Sequence, residues 1–150
     1  MRNRVNKPVI LLVEDNDSHV MLTKRLLKDT DAAKEVCRVA DGKDALDYLF
    51  RRGDYADDEK RKSPRPDLIL LDLRLPKVDG LEVLEEIKGS KDLMDIPVVI
   101  LTTSEDEDDI TRAYHHHANS YLVKPSDIDK FGEMMKEAYL HWLRWNRCPK

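Results

Sequence analysis

Asp72 follows the unbroken aliphatic run Leu68-Ile69-Leu70-Leu71, and other reactive side chains are placed the same way. Glu14 and Asp15 follow Val9 to Val13, Thr102 follows Ile96 to Leu101, and Lys124 follows Tyr121-Leu122-Val123. A short continuous apolar run reads as a strand buried on both faces. Each reactive group therefore stands at the carboxyl end of a buried strand, where open parallel sheets place their ligand sites. A helix-capping role for Asp72 fails on spacing, because the next helical pattern begins only near Gly80. Two like charges about 4 Å apart repel by roughly 4 kcal/mol at an effective dielectric of about 20. Against three acids this pattern brings one ammonium, Lys124, so a divalent cation is the natural complement. All-oxygen ligands, with no His or Cys among them, suit Mg²⁺, or Mn²⁺ as the alternative, rather than zinc. Mg²⁺ keeps waters and shares sites with phosphate, which points to phosphoryl chemistry. A carboxylate can be the nucleophile and form an aspartyl phosphate, with the metal and Lys124 stabilising the equatorial oxygens.

The elements that must position these groups follow in order. After Val9–Val13, Asn16, Asp17 or Ser18 can cap a helix carrying Val20, Leu22, Leu26 and Leu27. Val36 to Ala40 is a weaker strand, and Asp41-Gly42 turns the chain into a helix with Ala45, Leu46, Leu49 and Phe50. Residues 52–67 read as a long polar loop. Leu81, Val83, Leu84 and Ile87 mark the third helix. The span from Glu105 to His117 reads as a fourth helix, acidic at its start, with Ile110, Ala113 and Tyr114 on its apolar face. Ser126 or Asp127 caps a last helix with Ile128, Phe131, Met135, Ala138 and Trp142. Strand and helix thus alternate five times. The expected fold is α/β, a flavodoxin-like doubly wound (βα)5 with a parallel five-stranded sheet of order 2-1-3-4-5. In that order the first and third strands are neighbours, and the three carboxylates converge.

The chain of 150 residues reads as one domain spanning 1–150, with its core at about 9–144. Charged residues make up 37% and the net charge is −4, which argues against nucleic acid as a direct partner. Arg51-Arg52 and Lys60-Arg61-Lys62 lie among Asp54, Asp57, Asp58 and Glu59, as a solvated loop. Cys37 and Cys148 form no metal or disulfide pattern. Arg2 and Arg4 precede an apolar run too short for a signal peptide, and no stretch is long enough to span a membrane. The expected location is cytoplasmic. His115-His116-His117 point about 100° apart on a helix and cannot share one ion, so they read as a solvent-facing helix end. Tyr139, Trp142, Leu143 and Trp145 make the last helix apolar on more than one face, and the excess marks a protein contact.

Glu14-Asp15, Asp72, Thr102 and Lys124-Pro125, each at a strand end, resemble the receiver domain of two-component response regulators. The match runs from about Val9 to Trp142. The resemblance implies that Asp72 accepts a phosphoryl group from a sensor histidine kinase's phosphohistidine. It implies Mg²⁺ held directly by Asp15, Asp72 and the backbone carbonyl of Arg74, whose side chain is free to vary, with Glu14 acting through water. It makes Thr102 the switch hydroxyl and Tyr121 the switch aromatic, and gives Lys124 a phosphoryl contact and a cis bond to Pro125. The chain departs from the family pattern at Glu14, at the large Thr103 beside the switch hydroxyl, and at Ala118-Asn119. The 52–67 loop with Leu75-Pro76-Lys77 and Leu101-Thr102-Thr103-Ser104 is similar to regulators paired with phytochrome-type kinases.

The implied protein is a stand-alone phosphoacceptor rather than an enzyme. It would signal through its fourth helix, fifth strand and fifth helix to a downstream protein or as a homodimer, or relay phosphate to a histidine phosphotransfer domain. Three other readings compete. A flavodoxin-like cofactor binder needs a phosphate-cradling loop after the first strand, where Glu14-Asp15 would repel the phosphate, and no G-x-G-x-x-G or P-loop occurs. An aspartyl-phosphate phosphatase of the haloacid-dehalogenase type needs a general-acid Asp two residues after the nucleophile, and Arg74 stands there. A phosphorylation-independent interaction module would have no use for the intact acids, Thr102 and Lys124.

Overall fold

The structure, a computed structural model, describes residues 8–30, 35–57 and 63–146. Arg2, Arg4, Asp58, Glu59, Lys60-Arg61-Lys62 and Cys148 lie outside the described residues. Among the described residues five strands form one sheet: β1 (Val9–Val13), β2 (Glu35–Val39), β3 (Leu68–Leu71), β4 (Val98–Thr102) and β5 (Ser120–Val123). Their order is β2-β1-β3-β4-β5, all parallel. The helices are α1 (Asp17–Thr30), α2 (Gly42–Phe50), α3 (Gly80–Lys88), α4 (Glu107–His115) and α5 (Ile128–Tyr139), the last running into a wider π-helical turn at Leu140–Trp145. The doubly wound fold read from the sequence is the one observed.

Every residue of β1, β3 and β4 is buried, because helices cover both faces of the sheet. Alternate side chains divide between two cores. Leu11, Val13, Ile69 and Leu71 pack with Ala45, Leu49, Leu84 and Ile87 on one side. Ile10, Leu12, Leu68 and Leu70 pack with Val20, Leu27, Phe131 and Met135 on the other. A one-residue slip of any central strand would exchange its two cores, so register is strongly specified.

Carboxylates start the helices. Asp41, Asp79, Asp106 and Asp127 cap α2 to α5, each accepting a backbone N–H from the first turn. Asn16 Oδ1 accepts from His19 N at 3.1 Å at the start of α1. Helices that return between parallel strands begin at the strands' carboxyl edge, so this ring of caps surrounds the edge that carries Asp72.

Some expectations need correction. Tyr114 is 50% exposed rather than part of the α4 apolar face, and Asp109 is buried there instead. Ile128 is 69% exposed, ahead of the buried stripe Phe131, Met135 and Tyr139. His117 falls beyond α4 with a left-handed φ of 69°. The polar loop after α2 is tied down at both described ends. Tyr55 is buried and its hydroxyl donates to Asp44 Oδ2 at 3.0 Å. Tyr48 donates to the Pro64 carbonyl at 2.8 Å and Arg51 to that of Ser63 at 2.7 Å. Trp142 packs on the second core, whereas Trp145 is 72% exposed. No described helix is long and apolar enough to cross a membrane.

Candidate functional site

β1 pairs directly with β3, Val13 beside Leu71, so the residues that follow each strand meet. Oxygens of Glu14, Asp15 and Asp72 all lie within 4.8 Å of one another. Among the described residues this is the group of side chains able to share a metal ion. Glu14 and Asp72 are buried and Asp15 is exposed, which leaves the cluster an open side toward solvent. A cavity of about 590 Å³ opens over it, with Arg74, Thr103, His19 and Lys124 in its walls.

Lys124 reaches this cluster from the end of β5. Its Nζ donates to Glu14 Oε1 and to Asp72 Oδ2, the latter at 3.4 Å. It also lies 2.9 Å from His19 Nδ1. Burial lowers the pKa of His19 and the Lys124 charge lowers it further. The neutral ring can therefore accept from the ammonium at Nδ1 and carry its proton on Nε2. Burial raises the Glu14 carboxyl to about 7, against the lowering pull of the Lys124 hydrogen bond and charge. The ammonium alone does not offset the burial of Glu14. This all-oxygen, carboxylate-rich cradle fits a small divalent cation. The Arg74 N–H donates to Asp72 Oδ1 at 3.3 Å, which brings the Arg74 backbone to the site.

Thr102 and Tyr121, the expected switch residues, both hydrogen-bond to the Ser104 backbone. Thr102 is fully buried at the end of β4, and its Oγ1 accepts from Ser104 N at 3.4 Å. Thr103, rather than Thr102, faces the cavity. The Tyr121 hydroxyl donates to the Ser104 carbonyl at 2.9 Å, and its ring already packs against the core. The side chain of Arg74 has a partner of its own. Its Nη2 donates to the buried Asp109 carboxylate, which also accepts from Ser104 Oγ at 2.6 Å. Arg74, Asp109, Ser104 and Tyr121 thus form one hydrogen-bonded chain from the Asp72 loop to β5. The Lys124–Pro125 bond is trans, as are all described peptide bonds, which corrects the cis bond the resemblance implies. X–Pro bonds favour trans by about 0.5–1 kcal/mol in the absence of other constraints. With the trans bond Lys124 N still donates to Thr102 O at 2.7 Å, and Nζ still reaches the acids.

Sequence reasoning missed His19, Arg38 and Asp109. His19 could have been found, since it lies in the first turn after the paired acids, at a helix end that faces the site. Arg38 and Asp109 sit within strand and helix patterns that give no sign of their partners.

A family profile described as "Response regulator receiver domain" matches residues 10–136. Response regulator Rcp1 of Synechocystis is 44% identical over 150 residues, covering 99% of each chain. A probable methanogenesis regulatory protein, FilR2 of Methanothrix harundinacea, is 48% identical over 141 residues, covering 94% of this chain and 87% of that one. Among solved structures, the phosphorylated cyanobacterial phytochrome response regulator RcpA superposes with a TM-score of 0.88 at 42% identity, covering 95% of this chain and 99% of that one. The Mn²⁺-bound form of Rcp1 gives the same TM-score of 0.88 at 43% identity and the same coverage, 95% and 99%.

Proposed function

The chain belongs to the response regulator receiver family, and from that premise we propose that it accepts a phosphoryl group on Asp72 from a sensor histidine kinase. The observation that carries this reading is the placement of Asp72. It is buried at a strand end, within reach of two further acids and of Lys124.

A metal-binding family and the three-acid cradle agree on a divalent cation at this site. Asp15, Asp72 and the Arg74 carbonyl would hold Mg²⁺, with Glu14 acting through water. When bound, the metal supplies positive charge to the phosphoryl oxygens. The protein's own groups do the rest. An Asp72 oxygen attacks phosphorus as the P–N bond to the donor imidazole breaks, and the bond's electrons leave on that nitrogen. Lys124 turns from Glu14 and His19 toward the transferred oxygens. Thr102, now buried, must turn toward them to donate to one, which draws the end of β4 inward.

Tyr121 already occupies an inward position, so phosphorylation stabilises an arrangement available beforehand rather than creating one. The face built by α4, β5 and α5 carries the output to a partner protein, to a second copy, or to a histidine phosphotransfer domain. The similarity to regulators named for phytochromes supports a phytochrome-type kinase as the donor. Hydrolysis of the acyl phosphate ends the signal, and no catalytic turnover of an external substrate is needed.

Phosphoramidate, which carries the P–N bond of phosphohistidine, tests the reading with intact-mass detection. One phosphoryl group should be added in Mg²⁺ and removed by acid or base. Asp72→Asn should take none, and full incorporation in that variant would sink the assignment. Multiple turnover without retained phosphate would favour a phosphatase, and no reaction at all would favour an interaction module.

A further inference from the structure

We propose that Arg38 is a positioning residue for the metal site, holding the backbone of the two adjacent acids so that their carboxylates face Asp72. This rests on the phosphoryl-transfer reading only in taking Glu14, Asp15 and Asp72 as the cation's site.

Arg38 lies on the edge strand β2, opposite Leu12 of β1. Ladder pairing continues one step past β1, with Glu14 N donating to Val39 O at 3.1 Å. From there the loop to α1 has no strand to hold it, and the Arg38 guanidinium takes over. Its Nε donates to the Glu14 carbonyl at 2.9 Å and its Nη2 to the Asp15 carbonyl at 3.4 Å. The same Nη2 donates to Asp17 Oδ1 at 2.9 Å, in the first turn of α1. One planar fork therefore joins the end of β1, both acids and the start of α1. The Asp17 carboxylate is 84% exposed, so that ion pair adds little, and the bonds to the two carbonyls carry the effect.

Arg38 is suited to this because a guanidinium presents several donors in a rigid plane, whereas an ammonium is a single rotating point. The arrangement also separates two roles that act in opposite directions. Arg38 is a cation beside an acidic site. If it acted only through charge, its removal would strengthen binding of another cation. If it acts by orienting the ligands, its removal weakens that binding.

The test is a Mn²⁺ titration of the full chain, followed by the electron paramagnetic resonance signal of free Mn²⁺. Arg38→Met, which keeps most of the side-chain bulk, should weaken Mn²⁺ binding by about 10–100-fold, the usual effect of losing a group that orients metal ligands. Arg38→Lys should stay within about threefold of Arg38→Met, since it restores the charge but not the fork. Unchanged or tighter binding by Arg38→Met overturns the proposal, as does full rescue by lysine. If Arg38→Met does not fold, by circular dichroism without metal, Arg38→Gln takes its place, and equal affinity there is equally fatal. Wild-type protein that binds no Mn²⁺ overturns this proposal and the metal-dependent reading together. Wild-type protein that binds Mn²⁺ but takes no phosphoryl group overturns the proposed function and leaves the role of Arg38 standing.

Discussion

Replacing Arg74 with alanine should cost about 1–2 kcal/mol of folding stability, although its side chain is 57% exposed. The Asp109 carboxylate it pairs with is only 7% exposed. Removing one partner of a fully buried pair costs roughly 3–5 kcal/mol, because the other charge is left without compensation. A fully exposed pair contributes about 0–1 kcal/mol. This pair lies between. Asp109 keeps the Ser104 hydroxyl as a donor, and water can enter where the guanidinium was, which brings the figure to the lower middle of the range. For a chain of this size that is a fall of roughly 2–8 °C in Tm. Urea unfolding of wild type, Arg74→Ala, Asp109→Asn and the double variant closes a thermodynamic cycle. A coupling of about 1 kcal/mol is expected, reduced by salt because half the pair meets solvent. The same variant should exchange the amides of α4 faster, since Asp109 is the buried polar anchor of that helix. Additive single effects, within about 0.3–0.5 kcal/mol, would refute the link between the Asp72 loop and α4.

Lys124→Ala should still bind Mg²⁺ yet lose the response, so that beryllofluoride no longer changes amide exchange over residues 105–145. A variant that switches normally would refute the role of Lys124. In metal-free protein the Glu14 carboxyl titrates near 7 against 4.5 for the unperturbed group, so the folded state holds a proton the unfolded chain has released. Metal-free stability should therefore fall as pH rises from about 5 to 7, and Mg²⁺, which favours the ionised carboxyl, should restore more as pH increases. Glu14→Gln should flatten that slope in Tm measured at several pH values, and an unchanged slope would remove Glu14 as its source. Gly80→Ala should destabilise the protein and impair phosphorylation together, because an added Cβ would lie 2.3 Å from the Asp72 carbonyl oxygen. Wild-type Tm and incorporation in that variant would show that the loop yields easily.

The sheet and the acids were legible because both follow from side-chain type. Val9–Val13 and Leu68–Leu71 have no polar break, which buried parallel strands require, and the acids stand where those runs stop. The hydrogen bonds of Arg38 and Tyr121 were harder to read because they go to backbone carbonyls, which no sequence displays. The α4 face was misjudged for a related reason. Asp109 looks like a surface residue until Arg74, far away in the chain, supplies its partner, and Tyr114 then faces outward. On α5, Ile128 fits the helical spacing but precedes the buried stripe.

If Asp72 is the phosphoryl acceptor, the ring of carboxylate caps at its edge of the sheet has a consequence for which donors are admitted. Asp41, Asp79, Asp106 and Asp127 each satisfy a helix start, and together with Asp15 they give the approach to Asp72 a carboxylate-rich rim, offset at Asp41 by Lys77 at 3.4 Å. A small anion such as acetyl phosphate must cross that field unaided, so its reaction should quicken as salt shortens the reach of the repulsion. A kinase domain brings its phosphohistidine on a surface that can carry its own positive charge. On the proposed function, the caps that begin the helices should also act as a kinetic filter, slowing small anionic donors relative to a partner protein. A rate with acetyl phosphate that is indifferent to ionic strength would show that the rim exerts no such selection.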